Sequence, residues 1–211
     1  MGIALAGLAF KRTSAVNNLP ALITKLCNSS AKSIPQPNLQ EFDIRHHGDV
    51  MVQIFDDACF IFNHYLTWDY LEHQEKDVSA LHQILGYPDE IIAFCHYESG
   101  DSYGYAFIEK GKRTRTRLQT MNNPKHPAVI MESGKPKEFE KKWFFAKFYR
   151  EEDSVPFAQR PKIYYQGKRE IEVPEGLITA RLLYEAMQKY FSVCPWDTDR
   201  KPKNYYFKLS S

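Results

Sequence analysis

SYGYAFIEKGKRTRTRL, residues 102–118, decides the fold. Tyr103, Tyr105 and Phe107 recur at every second position, and so do Arg113, Arg115 and Arg117. A period of two is the mark of a strand, and Gly111 between the two runs marks a turn, so the stretch predicts a β-hairpin. A two-residue loop, Lys110-Gly111, needs positive φ at both positions, which Lys110 tolerates badly. A three-residue loop, Glu109-Lys110-Gly111, asks it only of the glycine and is the favoured reading. That register sets Arg113 opposite Phe107, Arg115 opposite Tyr105 and Arg117 opposite Tyr103. Three cations then stand beside aromatic rings on one accessible face, because unpaired guanidinium groups are costly to bury. The alternative register puts Arg115 and Arg117 beside Ala106 and Gly104.

Around the hairpin the chain reads as strands with helices that do not alternate regularly. GIALAGLAF (2–10) predicts a buried first strand, Asn17 or Asn18 with Pro20 opens a helix over 19–28, and SSAKSIPQPN (29–38) predicts a loop. LQEFDIRHH (39–47) alternates imperfectly as a strand. DVMVQIF and ACFIFNHYL predict two strands around the turn Asp56-Asp57, and DVSALHQILG predicts a helix capped by Asp77. EIIAFCHYES predicts a further strand, MNNPKHP (121–127) a loop, AVIMES a strand, and KEFEKKWFFAKFY a helical or aromatic segment. REEDSVPFAQRPK (150–162) predicts an exposed connection, 177–191 the clearest helix, and 204–209 a short last strand. The sum is an α+β fold, a mainly antiparallel sheet with helices packed on one side, as one domain over 1–211 or as two sublobes of about 1–90 and 91–211.

The net charge of +2 hides a segregated layout. Residues 1–40 carry four basic and no acidic side chains; residues 41–109 carry 14 acidic against Arg45 and Lys76; residues 110–150 carry 12 basic against three acidic. Either the two blocks face each other in the fold, or they leave a polar molecule whose acidic part meets a cationic partner. No apolar run approaches 18 residues, and the cationic pair Lys11-Arg12 follows the first apolar run instead of preceding it. Four dispersed cysteines, Cys27, Cys59, Cys95 and Cys194, are expected as reduced thiols, so the expected compartment is the cytoplasm.

Side chains that could do chemistry are scattered. His46 and His47 are adjacent, and His64, His73 and His82 lie nine apart, with Asp69 four residues before His73. None has the H-E-x-x-H or C-x-x-C spacing of a metal site, and Cys95 and His96 point to opposite faces of a strand. No metal, cofactor or catalytic residue is expected from these patterns.

One stretch resembles a pattern found in a family of small bacterial proteins: G-Y-A, an acidic residue, x-G, a run containing arginine, then E-x-G-x-P-x-x-F-E. Gly104-Tyr105-Ala106, Glu109, Gly111, Arg115, Arg117, Glu132, Gly134, Pro136, Phe139 and Glu140 fill it here. The resemblance implies an immunity-type or accessory role and no catalytic residue. Three functions follow as expectations. The first is a non-enzymatic, cytosolic protein-binding protein that engages a basic partner through Asp49, Asp56, Asp57, Asp69, Glu72, Glu75 and Asp77. The second is an RNA-binding module using Tyr103, Tyr105, Arg113, Arg115 and Arg117. The third is an enzyme whose cleft gathers His64, Asp69 and His73.

Overall fold

The computed structural model describes residues 3–38, 41–123, 126–151, 156–157 and 160–210. Among them, nine strands make one antiparallel sheet: β1 (Ala4–Lys11), β2 (Ala31–Ile34), β3 (Asp49–Phe55), β4 (Ala58–Phe62), β5 (Glu90–Tyr97), β6 (Ser102–Glu109), β7 (Lys112–Asn123), β8 (His126–Gly134) and, from the end of the chain, β12 (Lys203–Leu209). Their spatial order is β2-β12-β3-β4-β1-β5-β6-β7-β8. A separate three-stranded sheet is formed by β9 (Lys147–Arg150), β10 (Lys162–Gln166) and β11 (Ile171–Pro174).

β1 is central, as its unbroken apolar run requires. Ala6, Leu8 and Phe10 point to one face and Ala9 to the other. A methyl group on Gly7 would lie 2.2 Å from the Ile61 carbonyl oxygen, so glycine lets β1 and β4 pack this closely.

The fold is α+β and its large sheet antiparallel, as the sequence predicts. The helices, however, divide between the two faces of the sheet rather than sharing one. α1 (Leu19–Cys27), α2 (His64–Glu72) and α3 (Ser79–Ile84) close an aliphatic core with Leu8, Val52, Ile61 and Ile91. α4 (Glu138–Phe144) and α5 (Ile178–Phe191) close an aromatic core on the other face with Phe60, Phe62, Phe94 and Phe107. α1 begins as expected: the Asn18 side chain accepts from the Ala21 N–H at 3.2 Å, Pro20 sits in the first turn, and the helix ends on left-handed Asn28.

Several local readings are corrected. β2 lies inside the segment expected to be a loop, and residues 41–47 form turns instead of a strand; Leu39 and Gln40, where that strand was to begin, lie outside the described residues. β7 runs on to Asn123 into the expected loop, whose Pro124 and Lys125 are outside the described residues, as are 152–155 and 158–159 of the expected connection. The cysteines form no disulfide; Cys59, Cys95 and Cys194 are buried. Desolvation pushes the thiols of Cys59 and Cys194 up to about 12, with the Cys194 shift partly offset by backbone hydrogen bonds. No described helix is long and apolar enough to cross a membrane.

Candidate ligand-binding site

The central hairpin turns through the two-residue loop. Lys110 (φ 48°) and Gly111 (φ 74°) both adopt positive φ, and Glu109 pairs with Lys112. The register then shifts: Ile108 faces Arg113, but Phe107 faces Arg115, leaving Thr114 as an extra, bulged residue. Neither sequence register survives. Tyr105 lies opposite Arg117 and Tyr103 opposite Gln119.

The bulge breaks the row of arginines. Arg113 turns toward the aliphatic face, where its Nη1 donates to the Tyr70 carbonyl oxygen of α2 at 2.8 Å. Arg115 and Arg117 turn to the aromatic face and are 1% and 9% exposed. The expected accessible face is therefore absent, and with Tyr103 and Tyr105 also buried it offers RNA no surface.

Burial of two guanidinium groups is tolerable because each is paired. Arg115 Nε donates to Glu140 at 2.9 and 3.1 Å, its Nη1 to the Ser133 carbonyl at 3.1 Å, and its Nη2 to Glu132 Oε1 at 2.5 Å. Arg117 Nη1 meets the same Glu132 oxygen at 2.9 Å, and its Nε donates to Thr179 Oγ1 of α5 at 3.1 Å. Glu140 is fully buried and also accepts from the Tyr105 hydroxyl and the Lys137 backbone N–H. Burial works against the charged form of Glu132, but the bonds and charges of Arg115 and Arg117 outweigh it and hold the carboxyl below its ordinary range. Tyr105 is driven well above its ordinary value, first by desolvation and then by the Glu140 charge. Lys137 Nζ joins Glu109 at 2.6 Å beside the network.

The residues that fill the resembled pattern thus converge in space. Its arginines are buried and paired with the buried Glu140 and the more exposed Glu132, its tyrosine bonds Glu140, and Gly134 (φ 76°) makes room for the bulge, since a methyl there would lie 2.1 Å from the Thr114 carbonyl oxygen. The charge list in the sequence signals Arg115 and Arg117 but not Glu132 and Glu140 as their partners. The one sequence signal for those carboxylates is that E-x-G-x-P-x-x-F-E run.

Arg117 also floors a pocket of about 300 Å³. Beside it lies Gln119, whose Nε2 donates to the Gly176 carbonyl oxygen at 2.6 Å, which turns Oε1 away from that bond. Trp143 and Phe144 of α4 and Tyr164 of β10 are aromatic walls; Val129 of β8 and Ile178 of α5 complete them, and Glu175 stands at the rim. The Phe144 ring lies 5.0 Å from the Arg117 guanidinium carbon. Trp143 is fixed by its Nε1–H bond to Glu185 at 2.9 Å, and the same carboxylate takes Arg181 Nε at 3.0 Å. Among the described residues, Arg117 Nη2 and Gln119 Oε1 have no hydrogen-bond partner. The pocket thus offers one fixed donor and one fixed acceptor between flat apolar walls.

The carboxylates expected to form an acidic docking face fall in three places. Asp49 is 2% exposed; it accepts from the Asp43 N–H at 2.9 Å and faces Lys208 at 2.6 Å. Asp56 and Asp57 lie at the opposite end of β3, about 20 Å away by strand rise, near Arg200 and Lys11 respectively. Asp69, Glu72, Glu75 and Asp77 lie in α2 and the turn after it; Asp69 holds Lys76 at 2.8 Å, Glu75 meets His73 at 3.3 Å, and Asp77 bonds the Ser79 N–H at 2.8 Å.

His64, Asp69 and His73 do not gather. His64 and His73 stand at opposite ends of α2, about 13 Å apart by helix rise. His64 Nδ1 accepts from the Trp68 indole N–H at 3.1 Å and lies 2.6 Å from the Tyr97 hydroxyl. Burial pulls the His64 pKa below its ordinary value. Among the described residues, no three His, Cys, Asp or Glu side chains are grouped so as to hold a metal ion. No family model matches the chain, and neither a curated protein nor a solved structure matches it.

Proposed function

We propose that this chain is a non-enzymatic binding protein whose recognition site is the pocket over Arg117. The observation that carries the reading is a guanidinium nine-tenths buried, locked by Thr179 and Glu132, that keeps a free N–H group at the floor of an aromatic-walled pocket. Such preorganisation removes part of the ordering cost of binding. The charged groups nearby hold one another instead of standing ready for proton transfer: Arg115, Glu132, Glu140 and Tyr105 are bonded together. That favours recognition over chemistry.

A library of small metabolites, read by thermal shift and by Trp143 fluorescence, tests this. Val129 is 39% exposed at the pocket wall, so Val129→Trp plugs the pocket with little cost to folding. At least one compound should raise the Tm of the native chain in a saturable way and lose that effect in V129W; a ligand at 100 times its Kd stabilises by about 2.7 kcal/mol. A library that yields no V129W-sensitive compound sinks the proposal.

A basic protein partner is the second reading. What favours it is the exposed run Asp69, Glu72, Glu75 and Asp77 on one helix and its following turn. Lysine substitutions at Asp69 and Glu72 would abolish a salt-sensitive association of that kind and leave pocket ligands untouched.

A further inference from the structure

Resting on the pocket reading, we propose that the ligand is a small, neutral, planar ring bearing an amide edge: a carbonyl oxygen for Arg117 Nη2 and an N–H for Gln119 Oε1. A lactam nucleobase or an aromatic carboxamide has this chemistry.

Three observations select it. The first is charge. Arg115 and Arg117 are matched by Glu132 and Glu140, and at the rim Glu175 is matched by Lys162 at 2.9 Å. An entering carboxylate or phosphate would compete with Glu132 for Arg117 and would face Glu175; an entering cation would meet the guanidinium. A neutral group disturbs neither balance. The second is polarity. Gln119 Nε2 is committed to a carbonyl oxygen, which can only accept, so the amide oxygen is the end left for a ligand. A donor and an acceptor side by side match the two ends of an amide. The third is shape. Phe144 and Tyr164, both half-buried, present ring surfaces that favour a flat apolar guest, with the buried Trp143 beside them, and about 300 Å³ is the lower end of ligand-pocket size, fitting a single ring system with its substituents.

The test uses three molecules of nearly one shape: benzamide (neutral), benzoate (anionic) and benzamidine (cationic), with uracil as a lactam, titrated against the full chain by Trp fluorescence and thermal shift. Benzamide and uracil should bind about tenfold or more tightly than benzoate and benzamidine, the effect of one well-placed hydrogen bond without an added charge conflict. Gln119→Leu should reduce the preference for benzamide over toluene by about tenfold, the loss of one of its two hydrogen bonds, while the thermal unfolding profile stays cooperative. Benzoate or benzamidine binding as tightly as benzamide, in a V129W-sensitive manner, overturns the ligand class and leaves the pocket standing. Binding of all four that V129W does not alter overturns both.

Discussion

Against α1, α2 and α3 the large sheet presents Leu8, Val50, Val52, Ile61 and Ile91; against α4 and α5 it presents Phe60, Phe62, Phe94, Tyr105 and Phe107. The first face is closed by shape, with branched aliphatic side chains interlocked and Leu8, Val50, Val52, Ile61 and Ile91 all fully buried. The second face is closed by rings, which leave edges and gaps. Into those gaps go the two guanidinium groups, the buried Glu140 carboxylate and the pocket, with Glu132 reaching in from the surface. Aromatic packing supplies large buried area with few rotatable bonds, and its flat faces tolerate a cation beside them. The same sheet therefore offers a stabilising side and a recognising side, and one bulged residue, Thr114, decides which arginines belong to which.

This contrast can be broken experimentally. The largest effect should come from Glu140→Ala, which strips Arg115, Tyr105 and the α4 N-terminus of an acceptor in a fully buried place. A loss of about 3–5 kcal/mol in urea unfolding is expected. The paired change Arg115→Met with Glu140→Leu should be milder than Glu140→Ala alone, because no isolated charge is left behind. A cost below about 1 kcal/mol for E140A would mean that the ion pairs do not hold the aromatic side together.

On the aliphatic side, Leu8→Ala should cost about 2–5 kcal/mol, through lost burial and a cavity, and leave pocket ligands bound as before. Loss of ligand affinity in L8A at temperatures where it is folded would erase the division of labour. Next in size is Thr179→Val, which deletes the acceptor for Arg117 Nε; about 1–3 kcal/mol of stability should go, together with ligand affinity.

A smaller effect is set by pH. His96 is buried on the aromatic side, its ring centroid 4.6 Å from that of Trp196, and desolvation lowers its pKa below 6.5 despite Glu98 at 3.6 Å. The unfolded chain then binds the proton more readily than the folded one. Stability is full above about 6.5 and falls as the pH drops from there toward the lowered folded value. Thermal melts between pH 7 and 5 should show the decline, and His96→Phe should flatten it. The smallest change belongs to Glu138→Ala, which frees an exposed Lys141 and should move stability by under about 1 kcal/mol.

The parts of the fold legible in the sequence are those determined by neighbours along the chain. Asn18, Pro20 and Asn28 mark α1 because capping is local, and the alternation in 102–118 marks a hairpin because the strand period is local. The turn was harder: Lys110 does adopt positive φ, a strain that surrounding strand pairing overrides. A bulge leaves no mark in a period of two until the partner strand is known, so the alternation predicts three arginines on one face where the bulge at Thr114 splits them between two. α2 lacks a clear apolar stripe because only Thr67 and Leu71 are buried along it. The pocket was out of reach for a different reason. Gln119, Trp143, Tyr164 and Ile178 come from four elements, and only their packing puts them around one space.

β12 follows the other described strands in sequence yet lies between β2 and β3. During synthesis, residues 31–34 have no strand to pair with until residues 203–209 have left the ribosome, and β3 keeps a bare rim for as long. Until then a sticky border stays exposed, and β12 closes it by slotting in between β2 and β3. A chaperone that shields such borders until residues 203–209 are available would raise the yield of folded chains.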